Sequence, residues 1–152
     1  MMSTSGPQLA ILSQTSERED DLGDFKNLKA WSAAEDLVER VYQATARFPN
    51  SERYGLVSQM RRASCSVCAN IAEGCGRLGD RELARFARIA AGSATELEAL
   101  ILVAGRLRFL DQRTANDLLS RSRHVRKQLY RLNEFLLRRR QPSDARLTTQ
   151  DP

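Results

Sequence analysis

Hydrophobic residues recur every three or four positions over four stretches of this chain, the spacing of helices that bury one face. The first predicted helix runs from about Asn27 to Arg47. The second begins near Ser51, a suitable N-cap, and ends in the glycines that follow Ile71. The expected buried positions are Trp31, Ala34, Val38, Val41, Tyr42 and Thr45 in the first helix, and Leu56, Met60, Ala63, Val67 and Ile71 in the second.

The third predicted helix follows Asp80 and closes at Gly105, and the fourth follows Asp111, so that both aspartates are expected N-caps. The expected buried positions are Leu83, Phe86, Ala90, Ser93, Leu97, Leu100, Ile101 and Ala104, then Leu118, Ser122, Val125, Leu129, Leu132 and Leu136. Short connections between long amphipathic helices favour antiparallel neighbours. The sequence therefore predicts an all-α, up-down-up-down four-helix bundle.

The two ends of the chain differ from this pattern. Residues 1–24 and 141–152 mix small polar and acidic residues without an apolar period, which predicts disordered ends around one domain at residues 25–140. No run approaches the ~20 apolar residues of a membrane span, and the N-terminus lacks a signal-peptide pattern. We therefore expect a cytoplasmic protein, in which the three cysteines are reduced thiols.

Charge is distributed unevenly along the chain. The net charge of +5 combines −4 in residues 1–24 and −1 in residues 141–152 with +10 in residues 25–140. Within the fourth helix, a basic stripe of Arg123, Lys127, Arg131 and Arg138 points outward over roughly 22 Å, with Arg126 on its flank. Arginine suits phosphate oxygens, so this surface predicts RNA or DNA backbone binding without base specificity.

Two further arginines and one alternative belong to this interpretation. Arg61 and Arg62 on the second helix are secondary candidates for the nucleic-acid surface, because they could serve a subunit interface instead. The alternative is that the cationic face only keeps the protein soluble, and that the bundle is a scaffold for binding other proteins.

Small or uncharged residues occupy positions where a solvated helix usually carries Glu and Lys. They lie on the outer sides of the second and third helices and permit close approach by another helix, which predicts self-association. The predicted oligomer interface consists of Ser58, Cys65, Ala69 and Ala72 with Gly92, Thr95, Ala99 and Leu102.

Catalytic and metal chemistry find little support in the sequence. His124 is the only histidine, whereas a carboxylate-bridged di-metal bundle needs two Glu-x-x-His motifs. Cys65-x-x-Cys68 with Cys75 is the alternative metal or redox site, but it lies within a helix and lacks a fourth ligand. We therefore expect no enzymatic activity, no cofactor and no bound metal.

Two polar residues fall near the predicted core. Arg121 should pair with a carboxylate, and Glu73, Glu96 and Glu98 are the candidates. Asn70 should hydrogen-bond to the backbone or a neighbouring side chain, since an unsatisfied buried amide is costly.

One segment resembles a known family. It comprises Gln59-Met60-Arg61-Arg62-Ala63, Ser66-Val67 and Ala69-Asn70-Ile71-Ala72-Glu73-Gly74, followed by Phe86, Ala90, Gly92-Ser93 and Glu96-Leu97-Glu98. This combination resembles the bacterial four helix bundle proteins encoded within intervening sequences of large-subunit ribosomal RNA genes. That family is similar to the accessory protein of diversity-generating retroelements, so the resemblance implies a homopentamer and a reverse transcriptase or other nucleoprotein as partner. The family often has Pro at the position of Cys68.

Overall fold

A computed structural model describes residues 22–139, which form four long helices and no strand. The helices are α1 (Lys29–Thr45), α2 (Leu56–Gly76), α3 (Asp80–Arg106) and α4 (Gln112–Arg139), with short 3₁₀ turns at Phe25–Asn27 and Asn50–Glu52. The predicted all-α fold is confirmed. The predicted disordered ends lie outside the described residues, except for residues 22–24, where Asp24 caps the first 3₁₀ turn through the Lys26 amide at 3.0 Å.

The helices pack in the order of the chain, and α4 returns to lie against α1 as well as α3. Contacts between α3 and α4 show that neighbours run antiparallel. Asp80 at the start of α3 lies 3.5 Å from Arg139 at the end of α4, and the Ser122 hydroxyl donates to the Ala94 carbonyl at 3.0 Å between their middles. This is the predicted up-down-up-down bundle.

The core forms where all four helices turn their apolar sides inward. Leu37, Met60, Leu97 and Leu129 are at most 1% exposed and give one fully buried side chain per helix. Burial of such side chains, at about 25 cal/mol per Å² of apolar surface, is the main force that holds the helices together. Ser122 is the buried polar exception on α4, and its hydrogen bond to Ala94 satisfies it.

The buried side of α1 differs from the prediction. Its buried residues are Ala30, Ala34, Leu37, Val41 and Thr45. Trp31 and Val38 are half-buried and Tyr42 is exposed, which corrects their expected place in the core. The aromatic rings have partners at the edge of the bundle instead, since Tyr42 lies under the Arg61 guanidinium at 4.4 Å and Trp31 packs on Phe25 at 4.3 Å.

Two of the three predicted N-caps are wrong. Ser51 lies within a 3₁₀ turn, and α2 starts only at Leu56, whose amide donates to the Glu52 carboxylate at 3.1 Å. Asp80 is the first residue of α3 and follows Gly79, whose φ of 96° favours glycine. The predicted cap at Asp111 is confirmed by the Thr114 amide, which donates to its Oδ1 at 2.7 Å.

The end of α3 lies just beyond the predicted stop at Gly105. The helix continues to Arg106, and Arg108 adopts a left-handed φ of 63°. The Phe109 amide then donates to the Ala104 carbonyl at 2.9 Å and the Arg108 amide to the Gly105 carbonyl at 3.0 Å. This is a Schellman motif, which satisfies the last helix carbonyls.

Arg121 pairs with partners other than the predicted ones. Its guanidinium binds the Asp36 carboxylate of α1 and, at 2.9 Å, the Asp117 carboxylate one turn earlier on α4. The hydrogen bond to Asp117, with these two charges, raises the Arg121 pKa above its ordinary value. The expected partners Glu73, Glu96 and Glu98 belong to α2 and α3, whereas Arg121 faces α1. The Asn70 prediction is confirmed, because its amide donates to the Ser66 carbonyl at 2.8 Å.

None of the helices within residues 22–139 has the length and hydrophobicity of a membrane-spanning segment. The cytoplasmic location stays a prediction.

Candidate nucleic-acid interface

The outer side of α4 carries the basic stripe. Arg123, Lys127, Arg131 and Arg138 are all exposed, as their spacing predicts. Within residues 22–139, Lys127, Arg131 and Arg138 form no ion pair with an acidic side chain. The first and last of these three cations are 11 positions apart, about 16 Å of helix, and all three remain available to an external anion.

The remaining two arginines of the predicted surface, Arg123 and Arg126, form ion pairs with Glu98 on α3. The Glu98 carboxylate lies 3.4 Å from Nη1 of Arg126 and 3.7 Å from Nε of Arg123. Arg126 is half-buried and also donates to the Thr95 hydroxyl at 3.4 Å. Glu98 thus holds two of the predicted phosphate-binding arginines in the α3–α4 groove, and its influence on the site was missed from the sequence.

Arg113 is a further exposed cation on α4 that the prediction omits. It precedes Arg131 by 18 residues, which is five helical turns, so both side chains lie on the same side of α4. That spacing is the signal that could have included it, and it extends the basic surface to the first turn of the helix.

The two secondary candidates on α2 have different environments. Arg61 is half-buried, donates from Nε to the Thr45 hydroxyl at 2.9 Å and stacks on Tyr42. It therefore links α2 to α1. Arg62 is exposed and, among the described residues, donates a side-chain hydrogen bond only to Gln59 on its own helix, at 3.0 Å, which leaves much of its guanidinium accessible. Neither lies beside the basic stripe, which is on the far side of the bundle.

The predicted oligomer interface is spread over more than one side of the bundle. Cys65 lies toward α1, with its sulfur 3.8 Å from the Tyr42 hydroxyl, and Ala72 is half-buried. Thr95 faces α4 because it accepts from Arg126, and Leu102 lines a groove against α4. Ser58, Ala69, Gly92 and Ala99 are exposed on the outer sides of α2 and α3, and a Cβ added to Gly92 would meet no atom within 4 Å.

Two larger apolar residues extend this outer side of α3. Ile89 is 41% exposed and Val103 is 46% exposed, and they flank Gly92 and Ala99 at spacings of three, seven and four residues. The predicted interface did not include them. Their helical spacing gives α3 an outer strip of small and apolar residues, which the exposed Glu96 interrupts between Gly92 and Ala99.

The cysteines and the histidine form no metal-binding cluster in the part of the chain that the structure describes. Within residues 22–139, no group of three or more His, Cys, Asp or Glu side chains is placed to hold a metal ion. His124 and Cys65 are exposed, and Cys68 and Cys75 are half-buried free thiols. Burial, with Cys65 and Glu35 nearby, raises the pKa of Cys68 to about 11, and burial with Asp24 nearby raises the Cys75 pKa as well. Both thiols therefore remain almost entirely protonated at neutral pH, which makes them poor nucleophiles and poor metal ligands.

Comparison with known proteins agrees with the fold. A sequence model of a protein family described as 23S rRNA-intervening sequence protein matches residues 26–131. The crystal structure of a protein of unknown function from the S23 ribosomal protein family of Bacteroides thetaiotaomicron superimposes with a TM-score of 0.62. The two chains are 17% identical, and the match covers 69% of this chain and 98% of the other. No match was found among curated proteins.

Proposed function

Because the chain belongs to the 23S rRNA-intervening sequence protein family, we propose that it is a non-enzymatic helical bundle that binds the backbone of RNA or DNA. The basic stripe on α4 is the proposed binding surface. The observation that carries the proposal is that Lys127, Arg131 and Arg138 are exposed on one side of α4 with no acidic partner within residues 22–139.

The arrangement of these cations favours backbone over base recognition. A helix presents side chains three or four residues apart at intervals of about 5–6 Å, comparable with the separation of successive phosphates. Guanidinium and ammonium groups donate to phosphate oxygens, and those contacts carry no direct sequence information. Each phosphate that is neutralised releases condensed counterions, so affinity should fall steeply with salt and depend little on sequence.

The experiment is a salt-dependent binding assay with unrelated RNA and DNA strands. Changing Arg123, Lys127, Arg131 and Arg138 together to Gln should weaken binding to all sequences about equally and reduce the salt slope by about one unit per lost contact. A matched control changes four exposed arginines near the ends of the bundle, Arg53, Arg77, Arg81 and Arg108, to Gln.

The control removes the same charge, so it separates a local site from the effect of net charge. The control variant should bind RNA and DNA clearly more tightly than the stripe variant does. Equal losses in the two variants would show that only overall charge matters. Unchanged binding by the stripe variant, or no binding by the wild type at low salt, would reject the site and favour a protein-binding scaffold.

Self-association is the second part of the proposal. The exposed Ile89, Gly92, Ala99 and Val103 on α3, beside Ala69 on α2, support it because they offer close approach and apolar surface. A pentamer is the state implied by the resemblance noted in the sequence. An oligomer would repeat the basic stripe and increase affinity through multivalency.

Light scattering tests the assembly directly. Ala69→Glu and Ala99→Glu should weaken it, because a charge would have to be buried between closely packed helices. Ser32→Glu, at an exposed position of α1 beside α4, is the control and should assemble normally. A monomeric wild type at high micromolar concentration would refute self-association, and normal assembly of both Ala variants would place the interface elsewhere.

A further inference from the structure

We infer that a basic cavity between the end of α1 and the start of α4 binds one phosphate-bearing nucleotide, at an unstacked end of a nucleic-acid strand. The choice of a strand as the natural ligand rests on the proposed function. The capacity to bind a free nucleoside monophosphate does not, and it can be measured separately.

The cavity is about 420 Å³ in volume, within the range of small-molecule sites. Its lining includes Arg40 and Arg47 from the α1 side and Arg113 and Arg121 from α4. Phe109 and Leu118 contribute an apolar wall. The site therefore combines several guanidinium groups with an aromatic surface in one recess, unlike the convex basic stripe.

In this cavity the aspartates have hydrogen-bond or ion-pair partners, whereas most of the arginines have no acidic partner. Asp111 accepts from the Thr114 amide and hydroxyl at 2.7 and 3.1 Å, and Asp117 binds Arg121 at 2.9 Å. Arg40, Arg47 and Arg113 have no acidic partner within 4 Å in residues 22–139. Asp36 also binds Arg121, so four arginines face three aspartates, and the three arginines without an acidic partner carry the excess positive charge. An external anion would complete this site.

Phosphate fits this anion site better than a single carboxylate does. A phosphate monoester carries three strong acceptor oxygens, one for each of the three arginines that have no acidic partner in residues 22–139. Arginine forks can bind it in a bidentate manner from more than one side. A simple carboxylate offers only two acceptor oxygens to the same three arginines.

Phe109 provides the reason to propose a nucleotide rather than phosphate alone. Its ring is half-buried and packs on Phe48 at 5.6 Å, which fixes its orientation at the cavity wall. Aromatic side chains stack on bases that have left the helical stack, and this occurs in single strands and at strand ends. A recess between two helices admits such a nucleotide, whereas a paired duplex would meet only its rim.

The cavity also connects with the basic stripe. Arg113 lies ten residues before Arg123 on α4, a separation of about 15 Å along the helix axis. One strand could therefore place its terminal nucleotide in the cavity while its following phosphates lie along α4. The sequence signal for this site was the seven-residue spacing of Arg40 and Arg47, which puts both on the α4 side of α1.

The test is calorimetric titration of the full chain with 5′-AMP, 5′-dAMP, adenosine and inorganic phosphate. We expect both monophosphates to bind at least fivefold more tightly than adenosine or phosphate. Changing Arg40, Arg47 and Arg113 together to Gln should weaken this binding at least tenfold, and Phe109→Leu should remove the advantage over inorganic phosphate. Arg113→Gln alone should weaken binding severalfold. Because Arg113 is exposed, this single variant can replace the triple variant if the latter does not fold.

The stripe variant, with Arg123, Lys127, Arg131 and Arg138 changed to Gln, separates this site from the proposed function. It should bind 5′-AMP as the wild type does while losing affinity for long strands. A 5′-phosphorylated oligonucleotide should bind the wild type more tightly than its 5′-hydroxyl form. No monophosphate binding by the wild type, or equal binding by the arginine variants, would overturn the inference. Equal affinity for 5′-AMP and inorganic phosphate would overturn its nucleotide part.

Discussion

Oε1 of Glu98 on α3 lies 3.4 Å from Nη1 of Arg126 on α4. The Glu98 side chain is only 12% exposed, and within the described residues its buried Oε1 accepts no hydrogen bond of good geometry, so the ion pair is its main compensation. Oε2 lies 3.7 Å from Arg123, which is 61% exposed. This carboxylate therefore neutralises part of the basic surface and draws two arginines toward the α3–α4 groove.

The Glu98→Gln variant should bind polyanions more tightly than the wild type. Loss of the carboxylate frees Arg123 and Arg126 for phosphates, so affinity should rise severalfold and the salt slope should steepen by about one to two units. The bundle should lose about 1 kcal/mol of stability because the half-buried Arg126 loses its charged partner. Strand-binding assays at several salt concentrations and urea denaturation measure the two effects.

The control for this variant is Glu39→Gln on the outer side of α1. It changes the net charge equally, and within residues 22–139 the Glu39 carboxylate forms no ion pair but accepts a hydrogen bond from Gln43 on its own helix at 2.9 Å. Its effect on binding should be small. If both variants gained affinity to the same degree, the local restraint of Arg123 and Arg126 by Glu98 would be rejected.

The fold could be predicted because the pattern of apolar residues specifies which side of each helix is buried. Leu118, Val125 and Leu129 illustrate this, since their spacing alone placed them in the core. The residues that cap the helices were harder to predict from the sequence. Asp111 acts as a cap, but Ser51 and Asp80 do not, because Glu52 and Gly79 determine those helix starts through contacts or dihedral angles that composition does not reveal.

In the candidate site, the direction of the exposed side chains could be predicted from the sequence, whereas the partners of the boundary arginines could not. Helical spacing shows that Lys127 and Arg131 point outward, since that depends on one helix only. The partners of Arg126 and Arg121 depend on how α4 packs against α3 and α1, and a side chain can reach either neighbour from a boundary position. Sequence spacing within α4 contains no information about that choice, so Glu98 and Asp36 became visible only in the structure.

Cys68 should be alkylated slowly at neutral pH and much faster above pH 9. Because burial raises its pKa to about 11, its thiolate fraction should grow about tenfold per pH unit until that value. Mass spectrometry after timed iodoacetamide exposure measures the rate at each pH. A Cys68 rate that levels off near pH 9, the ordinary thiol value, would contradict the effect of burial.

The same shift predicts a stability change in alkaline solution. The folded protein disfavours the Cys68 thiolate, so the contribution of the neutral thiol is complete below about pH 9 and is lost as the pH rises toward 11. Cys68→Ser should therefore lose less stability than the wild type across this window, as followed by urea unfolding at fixed pH values.

Replacing Arg108 by Gly should stabilise the protein. Arg108 holds a φ of 63° in the Schellman motif after α3, a conformation that costs a residue with a side chain about 1 kcal/mol or more. Glycine removes that strain but adds flexibility to the unfolded chain, so the net gain should be roughly 0.5 kcal/mol. The denaturation midpoint should rise while the slope stays unchanged.

Arg106→Gly is the matched control for that substitution. Arg106 is the last residue of α3 and has helical geometry, so glycine should destabilise the bundle there by about 0.5–1 kcal/mol. If glycine stabilises the protein at Arg108 and destabilises it at Arg106, two exposed arginines only two residues apart, the backbone conformation is the cause of the difference. A loss of stability in Arg108→Gly would contradict the assigned strain.

Gly74→Ala should destabilise the contact between α2 and α3. A Cβ at this position would lie 2.8 Å from the Phe86 Cβ and 3.0 Å from the Leu83 Cδ1, and both neighbours are buried. Relief requires the helices to separate, because the Phe86 Cβ is fixed to its backbone, and such overpacking typically costs about 1–3 kcal/mol. Gly76→Ala is the control two residues later, where an added Cβ meets nothing within 4 Å. Urea denaturation should show a clear loss for Gly74→Ala and little change for Gly76→Ala; equal stability of the two variants would mean that the α2–α3 approach is not limited by Gly74.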